Sequence, residues 1–389
     1  MTEEYTEYLR DESRTTGQAS SISFPRGEEE VIQLLQTLHE SRTPVTLQGG
    51  RTGLAAGAVP GEGHIMNLSR MNGILAMRRD DHGNFCLTLQ PGVVLSQLRK
   101  SIELKAFDKE HWTQESLRAY GAFCDSAEWF FSPDPTEASA TIGGMVACNA
   151  SGARSYRYGA TRQHITGLRV VLCNGETLAL KRGAVKAQGR QMTLMTEQGR
   201  RLVIPLPRIQ MPKTKNASGY YVEDNMDAVD LLIGSDGSLG VITEIEIRLL
   251  PLPPVVWGVT CFFDDEGEAV HFVSRLRHQL DRVAAMEYFD KDALAILQKQ
   301  KTTGKAFAQL PQVIPGKEAA VYLELHCDRE SEGLDDLKRT AKIMADAGGC
   351  SQDTWVARVD VDRDRLLFFR HAVPESVNML IDQRKKNYP

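Results

Sequence analysis

The sequence lacks the features that mark several common functional classes. Its seven cysteines never fall at a C-x-x-C spacing, so they do not offer the paired thiolates of a structural zinc or iron–sulfur site. Their odd number favours free thiols in a reducing compartment over a disulfide framework. The charge imbalance is small, with 46 basic against 51 acidic residues, which argues against a nucleic-acid-binding surface.

Long apolar segments are missing as well. No run approaches the roughly 18 apolar residues that a membrane-spanning helix needs. The stretch from Met1 to Arg14 is acidic and polar, which predicts that it is not a signal peptide. We therefore expect a cytoplasmic protein, free or peripheral at the membrane, with no membrane span and no nucleic-acid partner.

Hydrophobic periodicity divides the chain at the proline-rich segment 251–254. Before it, the pattern predicts a helix over 25–41, a hairpin around Asn174-Gly175 and a half-buried strand over 241–250. Residues 181–220 show no clear period and are predicted to form long loops or a peripheral ribbon. After the prolines, strands and helices alternate in an order close to a β-α-β-β-α-β ferredoxin-like unit with extra helices. The predicted domains are residues 1–254 and 255–389.

A glycine loop directly after a predicted strand is the first chemical feature. It reads Gln48-Gly49-Gly50-Arg51-Thr52-Gly53-Leu54, and glycines let several backbone N–H groups approach one anion. No Lys-Ser/Thr pair follows, so the loop is not a Walker A motif, and its spacing does not match G-x-G-x-x-G. By itself the loop is equally consistent with a tight turn.

Two further segments are rich in small residues. The first runs from Ala140 to Gly152 behind the rigid Pro133-Asp134-Pro135, and the second is a glycine turn over 234–240 that leads into a strand. A backbone with so little bulk can pack against a flat ring system or a diphosphate, and it can equally serve as a close helix-packing site.

The order and spacing of these segments resemble those of FAD-linked oxidases and dehydrogenases with a vanillyl-alcohol-oxidase-type (PCMH-type) flavin domain. Within that family the sequence is most similar to the D-lactate, glycolate and D-2-hydroxyglutarate dehydrogenase branch. The matching stretches are PVTLQGGRTGLAAGAVP, MNLSRMN, LQPGV, SPDPTEASATIGGMVACNASGARSYRYGATRQHITGLRVVLCNGE, KTKNASGYYV and IGSDGSLGVITEIEIRLLPLP. The resemblance implies an α+β fold, in which a two-part PCMH-type FAD-binding domain precedes an incomplete ferredoxin-like α/β cap.

The resemblance also implies roles for individual residues toward FAD. The residues expected at the diphosphate are Gly49, Gly50, Arg51, Thr52, Gly53 and Leu54. Those expected along the flavin and ribityl chain are Pro133, Asp134, Thr141, Gly143, Gly144, Asn149 and Gly152, followed by Tyr158 and Gly159. Val241 and Ile242 are expected to hold the adenine end through their backbone. Arg51 stands in the loop near which covalent members offer a His or Cys, so non-covalent FAD is expected.

The expected reaction is the oxidation of a D-2-hydroxy acid, such as D-lactate or glycolate, to the 2-keto acid, with hydride transfer to the flavin. Arg370 is the candidate for the substrate carboxylate, because arginine offers a bidentate fork, and Lys385 is the second candidate. The catalytic base is left unassigned, with His326 and His371 as the two conceivable histidines. Electrons are expected to leave to an external acceptor.

The cap is expected to be shorter than in the resembled branch. There, a metal-binding H-x-H-type motif lies in the second half of the cap, and none of the nine histidines here forms such a pair. The resemblance thus implies a divalent metal in full-length relatives whose ligands are not present in this chain. The chain is accordingly expected to be C-terminally truncated. The alternative is a non-catalytic or partner-dependent FAD-binding fragment, with a partner chain that completes the cap.

Overall fold

The computed structural model describes residues 3–217, 219–303 and 307–387, and for residues 3, 4, 303 and 385–387 it describes the backbone alone. The chain divides into two compact units. The N-terminal unit comprises Met1–Gly152 and Gly159–Leu252, and the C-terminal unit comprises Ala153–Tyr158 and Pro253–Pro389. The division at Leu252 lies beside the proline-rich segment, whereas the assignment of residues 153–158 to the C-terminal unit differs from the predicted domain of residues 1–254.

The α-helices are α1 (Glu28–Glu40), α2 (Leu95–Glu103), α3 (Gln114–Cys124), α4 (Ile142–Ala147), α5 (Ser155–Tyr158), α6 (Ala228–Leu232), α7 (Glu266–Leu276), α8 (Lys291–Thr303), α9 (Glu330–Asp346) and α10 (Asp360–Asn387). The strands of the N-terminal unit are β1 (Ser21–Ser23), β2 (Val45–Gln48), β3 (His64–Asn67), β4 (Ile74–Arg79), β5 (Phe85–Leu89), β6 (Trp129–Phe130), β7 (Ile165–Val171), β8 (Thr177–Lys181), β9 (Gln191–Met195), β10 (Arg201–Pro205), β11 (Val241–Arg248) and β12 (Leu250–Pro251). Those of the C-terminal unit are β13 (Val255–Phe263), β14 (Val283–Phe289), β15 (Ala319–Cys327) and β16 (Thr354–Ala357).

The N-terminal unit is built on two main sheets. A parallel sheet has the order β1-β3-β2, and an antiparallel sheet has the order β4-β5-β11-β7-β8. The hairpin predicted around Asn174-Gly175 joins β7 and β8, and Gly175 adopts a φ of 85°, which a residue without a Cβ tolerates. The polar stretch predicted as loops or a ribbon contains the two-stranded ribbon of β9 and β10.

Strand β11 lies at the centre of the antiparallel sheet, and its sequence alternates between a buried and a polar face. Ile245 and Ile247 are fully buried on one face, while Glu246 on the other face receives two hydrogen bonds from Arg78 of β4 at 2.6 and 2.5 Å. Thr166 of β7 donates to the same carboxylate over 2.6 Å. The polar face is therefore satisfied across neighbouring strands rather than left to solvent alone.

The C-terminal unit has the ferredoxin-like topology that the sequence predicted. Its antiparallel sheet has the order β14-β15-β13-β16, so the first strand of the unit, β13, lies at the centre between the third and the fourth. Helices α7 and α9 are the two crossover helices of the β-α-β-β-α-β pattern, and α8 and α10 are the extra helices.

Both faces of this sheet are covered. Val321, Leu323 and Leu325 of β15 pack in one core with apolar residues of α7 and α9. Tyr322 of the same strand packs in a second core, which contains residues of α8 and α10 together with Ala153. The short segment 153–158 thus contributes to the second core, and helix α5 contacts β14. Strand β15 is buried along its whole length as a consequence.

Helix α10 corrects one expectation. The sequence predicted that Pro374 would break a helix over 363–386, but α10 is continuous from Asp360 to Asn387 with Pro374 inside it. The proline removes the N–H that would bond to the carbonyl of Arg370, and its ring crowds that carbonyl. Leu366, Phe369 and Ala372 are buried in the second core, and their packing outweighs the lost hydrogen bond.

Candidate functional site

The three glycine-rich segments of the N-terminal unit lie together. A Cβ on Gly49 would lie 2.2 Å from the hydroxyl oxygen of Thr141, so the loop after β2 touches the start of α4. A Cβ on Gly57 would lie 2.7 Å from a carboxylate oxygen of Asp236, which connects the same loop region to the turn before β11. Asp236 in turn accepts a long hydrogen bond from the Cys148 thiol at 3.6 Å and donates its N–H to the carbonyl of Ala147. We call these three segments (49–54, 141–152 and 234–240) the glycine cluster.

Helix α4 starts at the glycine cluster because Thr141 caps it. The Thr141 hydroxyl accepts from the N–H of Gly144 at 3.3 Å, and the preceding backbone is extended. Gly143 packs directly on Pro91, where a Cβ would lie 2.5 Å from the proline ring. Gly143 is needed for this close approach, so a bulkier residue there would displace the helix start.

Pro133 and Asp134 lie against the end of the small-residue segment. A Cβ on Gly152 would come within 1.9 Å of the carbonyl oxygen of Asp134. The carbonyl of Pro133 accepts a hydrogen bond from Arg99 at 2.8 Å, and Asp134 is 7% exposed. The predicted flavin-lining residues Asp134 and Gly152 are therefore in direct contact.

Arg162, which is not among the predicted site residues, joins the glycine cluster to Asp230 of α6. Its guanidinium donates to the carbonyl and the carboxylate of Asp230 at 2.6 and 3.2 Å. The backbone N–H of Arg162 donates to the side-chain oxygen of Asn149 at 3.0 Å, and this bond helps to hold Asn149 at its φ of 47°. The only sequence signal for Arg162 was its position inside a matching stretch.

Two predicted cofactor residues lie in the sheet beside the cluster. Val241 and Ile242 of β11 pair with Val171 and Val170 of β7, whereas the ladder between β11 and β5 starts only at Ile245. Both side chains are buried, so only their backbone can serve the predicted adenine contact.

Two other predicted cofactor residues are placed differently. The Arg51 side chain points to the N-terminal segment, where it donates to the carbonyl of Glu7 at 2.5 Å and lies over the Tyr8 ring at 4.2 Å. Leu54 is 74% exposed. Predicted diphosphate contacts from this loop therefore depend on its backbone N–H groups rather than on the Arg51 guanidinium.

The predicted flavin groove residues Tyr158 and Gly159 fall on either side of the unit boundary. Gly159 belongs to the N-terminal unit and has a φ of 80°. Tyr158 belongs to the C-terminal unit, where its hydroxyl lies 2.6 Å from Nδ1 of His326. A flavin contact by Tyr158 stays a prediction.

A buried polar face lies in the C-terminal unit. Tyr322, Glu324 and His326 project from β15 on the side of the second core, and each is 2% exposed. Arg154 donates to the Glu324 carboxylate from Nε at 2.7 Å and from Nη2 at 3.2 Å. Burial alone would raise the pKa of Glu324, but Arg154 and His326 outweigh it, and that pKa lies well below its usual range.

The candidate for the substrate carboxylate is buried near this face. Arg370 of α10 is 5% exposed at its side chain, and its Nε lies 2.6 Å from Oε2 of Glu287 on β14. Glu287 is the register partner of Tyr322, so Arg370 reaches the polar face from the covering helix. The Lys385 side chain lies outside the described residues, and His371 is exposed. Within the part of the chain that is described, no three His, Cys, Asp or Glu side chains form a group that could hold a metal ion.

Comparison with known families identifies the two parts of the chain. A family model described as a FAD binding domain matches residues 19–109 and 115–181, and a model described as the C-terminal domain of FAD linked oxidases matches residues 252–387. The chain belongs to the FAD-linked oxidase family. The α+β fold with a PCMH-type flavin domain, expected from the resemblance, is thereby confirmed.

Curated relatives of this chain carry the names of a D-lactate dehydrogenase, a glycolate oxidase subunit and a D-2-hydroxyglutarate dehydrogenase. The chain is 28% identical over 343 residues to a D-lactate dehydrogenase of Anaerostipes hadrus, covering 85% of this chain and 59% of that protein. It is 27% identical to the glycolate oxidase subunit GlcD of Bacillus subtilis, covering 73% and 48%, and 27% identical to a D-2-hydroxyglutarate dehydrogenase of Stutzerimonas stutzeri, covering 71% and 47%. The chain thus spans about half to three-fifths of the length of these relatives.

Solved structures show the same fold. An alkyldihydroxyacetonephosphate synthase matches with a TM-score of 0.57 at 15% identity, over 90% of this chain and 58% of that one. No helix among the described residues of the FAD-linked oxidase is both long and apolar enough to cross a membrane.

The glycine cluster fits FAD in its chemistry. The segment Gly49–Leu54 carries no acidic side chain, and its glycines leave the backbone N–H groups accessible to an anion such as a diphosphate. At Gly53 a Cβ would meet nothing within 4 Å, which shows open space beside the loop. FAD is the cofactor of this family, and these residues would hold it.

Proposed function

We propose that the chain acts in the FAD-dependent oxidation of a D-2-hydroxy acid, of the D-lactate or glycolate type, to the corresponding 2-keto acid. The observation that carries the proposal is Arg370, a cation that is almost fully buried in the C-terminal unit. The names of the relatives support the substrate class, since all three designate enzymes or subunits for 2-hydroxy acids.

The chemistry of Arg370 suits a carboxylate substrate. A guanidinium has five N–H donors in a planar fork, and Glu287 occupies the donor at Nε. An arginine can bind both oxygens of a carboxylate at a fixed orientation, which a lysine does less well. Arg370 would thereby fix the carboxylate end of the substrate, and the orientation of the C2 hydroxyl follows from it.

Bound FAD would supply the two-electron oxidant, because its flavin accepts a hydride from a carbon donor. The residues of the glycine cluster would bind it without a covalent link, through backbone N–H groups and the Thr141 and Asn149 region. Electrons would then pass to an external acceptor.

The experiment starts from the purified full chain. We expect it to carry yellow flavin, which D-lactate, glycolate or D-2-hydroxyglutarate bleaches under anaerobic conditions. Arg370→Met should retain the flavin and lose the bleaching. Arg365→Met is the matched control, because Arg365 is on the same helix but 64% exposed, and it should bleach as the wild type does.

Two results would count against the proposal. A yellow chain that no 2-hydroxy acid bleaches would contradict the activity for this chain and favour the partner-dependent FAD-binding alternative. Normal bleaching by Arg370→Met would contradict the carboxylate assignment and turn attention to Lys385, which a Lys385→Met variant tests directly.

A further inference from the structure

Three side chains of the C-terminal unit are joined in series by two hydrogen bonds. Oε1 of Glu324 lies 2.7 Å from Nε2 of His326, and Nδ1 of His326 lies 2.6 Å from the hydroxyl of Tyr158. Glu324 and His326 are each 2% exposed, whereas Tyr158 is only partly buried. This series of hydrogen bonds therefore connects a buried carboxylate to the hydroxyl of a residue that is only partly buried.

The chemistry of Glu324 fixes the direction of these hydrogen bonds. Its pKa lies well below the usual range, so it is an ionised acceptor, and the proton of His326 must be on Nε2. Burial lowers the pKa of His326, so the ring is neutral near pH 7 and its Nδ1 is an acceptor. Tyr158 consequently donates its hydroxyl proton to Nδ1.

This geometry matches the arrangement of an activated hydroxyl group. A hydroxyl, an imidazole and a carboxylate in series allow the first to exchange a proton while the third stabilises the charge on the second. Here the imidazole is held on both nitrogens, so its tautomer and orientation do not depend on a ligand.

We propose that Tyr158 is the acid–base residue of the chain, with His326 and Glu324 behind it as positioning residues. The inference rests on the proposed oxidation of a 2-hydroxy acid. The substrate hydroxyl proton passes to Oη of Tyr158 while the proton of Tyr158 passes to Nδ1 of His326. Bound FAD would supply the two-electron oxidant by accepting the hydride from C2, so the substrate C–O bond would become a carbonyl and the reaction would balance. Glu324 remains ionised throughout.

The charges around His326 set the pH at which this relay works. Glu324 favours the protonated ring, whereas Arg154 and Arg157 disfavour it, and Arg157 also donates to the backbone carbonyl of His326 at 3.1 Å. On the neighbouring side, the Tyr322 hydroxyl donates to Glu324 at 3.4 Å. Burial and the opposing arginines thus outweigh Glu324, and the pKa of His326 lies below 6.5.

Burial also disfavours the charged form of Tyr158. It raises the pKa of the phenol, with Glu324 and Asp328 contributing in the same direction and Arg157 and Arg154 opposing. Tyr158 is thus a protonated phenol near pH 7. It passes a proton on only because the neutral His326 ring accepts it, so the relay needs both residues.

The first test needs no turnover. In the flavin-loaded chain, ¹⁵N NMR of labelled histidine should show His326 neutral and protonated on Nε2 at pH 7, and Tyr158→Phe should shift its Nδ1 resonance. An Nδ1–H tautomer, or a charged ring at pH 7, would overturn the inference whatever the turnover result. Tyr156→Phe is the control, because Tyr156 is on the same short helix and exposed, and it should leave His326 unchanged.

The second test measures the pH dependence of anaerobic flavin reduction. The wild-type rate at saturating substrate should fall as the pH drops through the lowered pKa of His326. His326→Asn keeps an acceptor for Tyr158 but cannot take up a proton, so it should lose this acid limb and slow reduction by about 10²–10³-fold with little change in half-saturating substrate concentration. Tyr158→Phe should slow it comparably. His271→Asn, an exposed histidine on α7, should keep the wild-type profile.

The outcomes separate the two proposals. If the wild-type flavin is reduced but His326→Asn and Tyr158→Phe retain its rate and pH profile, the relay is wrong and the proposed function stands. If no 2-hydroxy acid reduces the wild-type flavin, the proposed function is wrong for this chain. Flavin content and thermal unfolding of each variant show that it is folded, and two variants that change different residues guard against the failure of one.

Discussion

The guanidinium of Arg154 holds the buried carboxylate of Glu324 through two hydrogen bonds, although the residues are 170 positions apart in the chain. Glu324 is 3% exposed at its side chain and Arg154 22%. The segment 153–158 is thereby tied to the C-terminal unit by charge as well as by the apolar contact of Ala153. Because the pair is mostly buried, the removal of one partner leaves a charge without compensation.

Arg154→Met should therefore destabilise the chain by about 3–5 kcal/mol at pH 7, the usual cost of breaking a buried pair from one side. Chemical denaturation followed by fluorescence measures this difference. Glu324→Gln in the same background should restore part of it, since the uncompensated charge is gone. An Arg154→Met variant as stable as the wild type would show that water reaches Glu324.

The Arg154–Glu324 pair also predicts that the stability of the fold depends on pH in the acid range. The folded pKa of Glu324 lies below its usual value of 4.5, so its stabilisation is present above that pH and is lost as the pH falls toward the folded pKa. In Arg154→Met the pKa should rise, and the stability of this variant should depend less steeply on pH below 4.5. Denaturation midpoints at a series of pH values compare the two proteins.

Gly49→Ala should disturb the glycine cluster. The new Cβ would lie 2.2 Å from the Thr141 hydroxyl, so either the loop or the cap of α4 must move, at a cost of about 1–3 kcal/mol. We expect a lower melting temperature and less retained flavin. Adding Thr141→Ala to Gly49→Ala should restore part of the lost stability. The Cβ of residue 141 that remains would lie 3.5 Å from the new Cβ of residue 49.

Gly53→Ala is the matched control in the same loop, since a Cβ there meets nothing within 4 Å. Its melting temperature should match that of the wild type. A loss of stability equal to that of Gly49→Ala would mean that the loop is sensitive to any side chain rather than to the contact with Thr141.

His64 predicts a second pH dependence, in the N-terminal unit. Its ring lies between the hydroxyls of Ser21 and Ser23, 2.8 Å from each, and burial lowers its pKa from 6.5. The unfolded chain binds a proton at higher pH than the folded one, so stability falls as the pH drops below about 6.5, with a slope of at most about 1.4 kcal/mol per pH unit.

His64→Gln should remove this component of the slope between pH 7 and pH 5.5 in urea unfolding experiments. His39→Gln, at the exposed end of α1, is the control and should keep the wild-type slope. Equal slopes in all three proteins would show that His64 titrates alike in the folded and unfolded states.

Glu287→Gln tests how the ion pair with Glu287 affects Arg370. Under the proposed function, Glu287 would compete with the substrate carboxylate for the guanidinium, so its neutralisation should lower the half-saturating concentration of D-lactate in flavin reduction several-fold. The variant should also lose stability, by less than the roughly 3–5 kcal/mol of a fully buried pair, because the Glu287 side chain is 32% exposed. Glu330→Gln, which changes an exposed carboxylate on α9, should alter neither quantity. A weaker substrate response in Glu287→Gln would show that Glu287 orients Arg370 rather than competes for it.

Much of the fold could be predicted because its signals are local. The alternation of β11, the turn at Asn174-Gly175 and the apolar stripe of α1 each depend on residues within one element. Pro374 was misjudged because a proline acts locally, whereas the packing of Leu366, Phe369 and Ala372 that keeps α10 continuous is tertiary. The polar residues of β15 alternate as in a strand with one solvated face, yet both faces are covered.

The candidate site likewise contains residues that the sequence could indicate and residues that it could not. The glycine loop and the small-residue segment could be recognised from sequence, because glycine requirements and close backbone approach leave a local trace at Gly49, Gly143 and Gly152. Arg162 could not be recognised as the support of Asn149 and Asp230, since nothing near it in the chain indicates a partner 68 positions away.

The sequence by itself determined the order of the elements and the ferredoxin-like connection pattern. It also determined the glycines at which backbone segments can approach closely. Only the tertiary structure decided that residues 153–158 join the C-terminal unit, that Arg370 faces Glu287 and that Tyr158 meets His326 across 168 positions. The physical reason is range. Backbone preferences and periodicity act between near neighbours, whereas a buried charge or imidazole takes whichever partner the packing of the whole unit brings within hydrogen-bond distance.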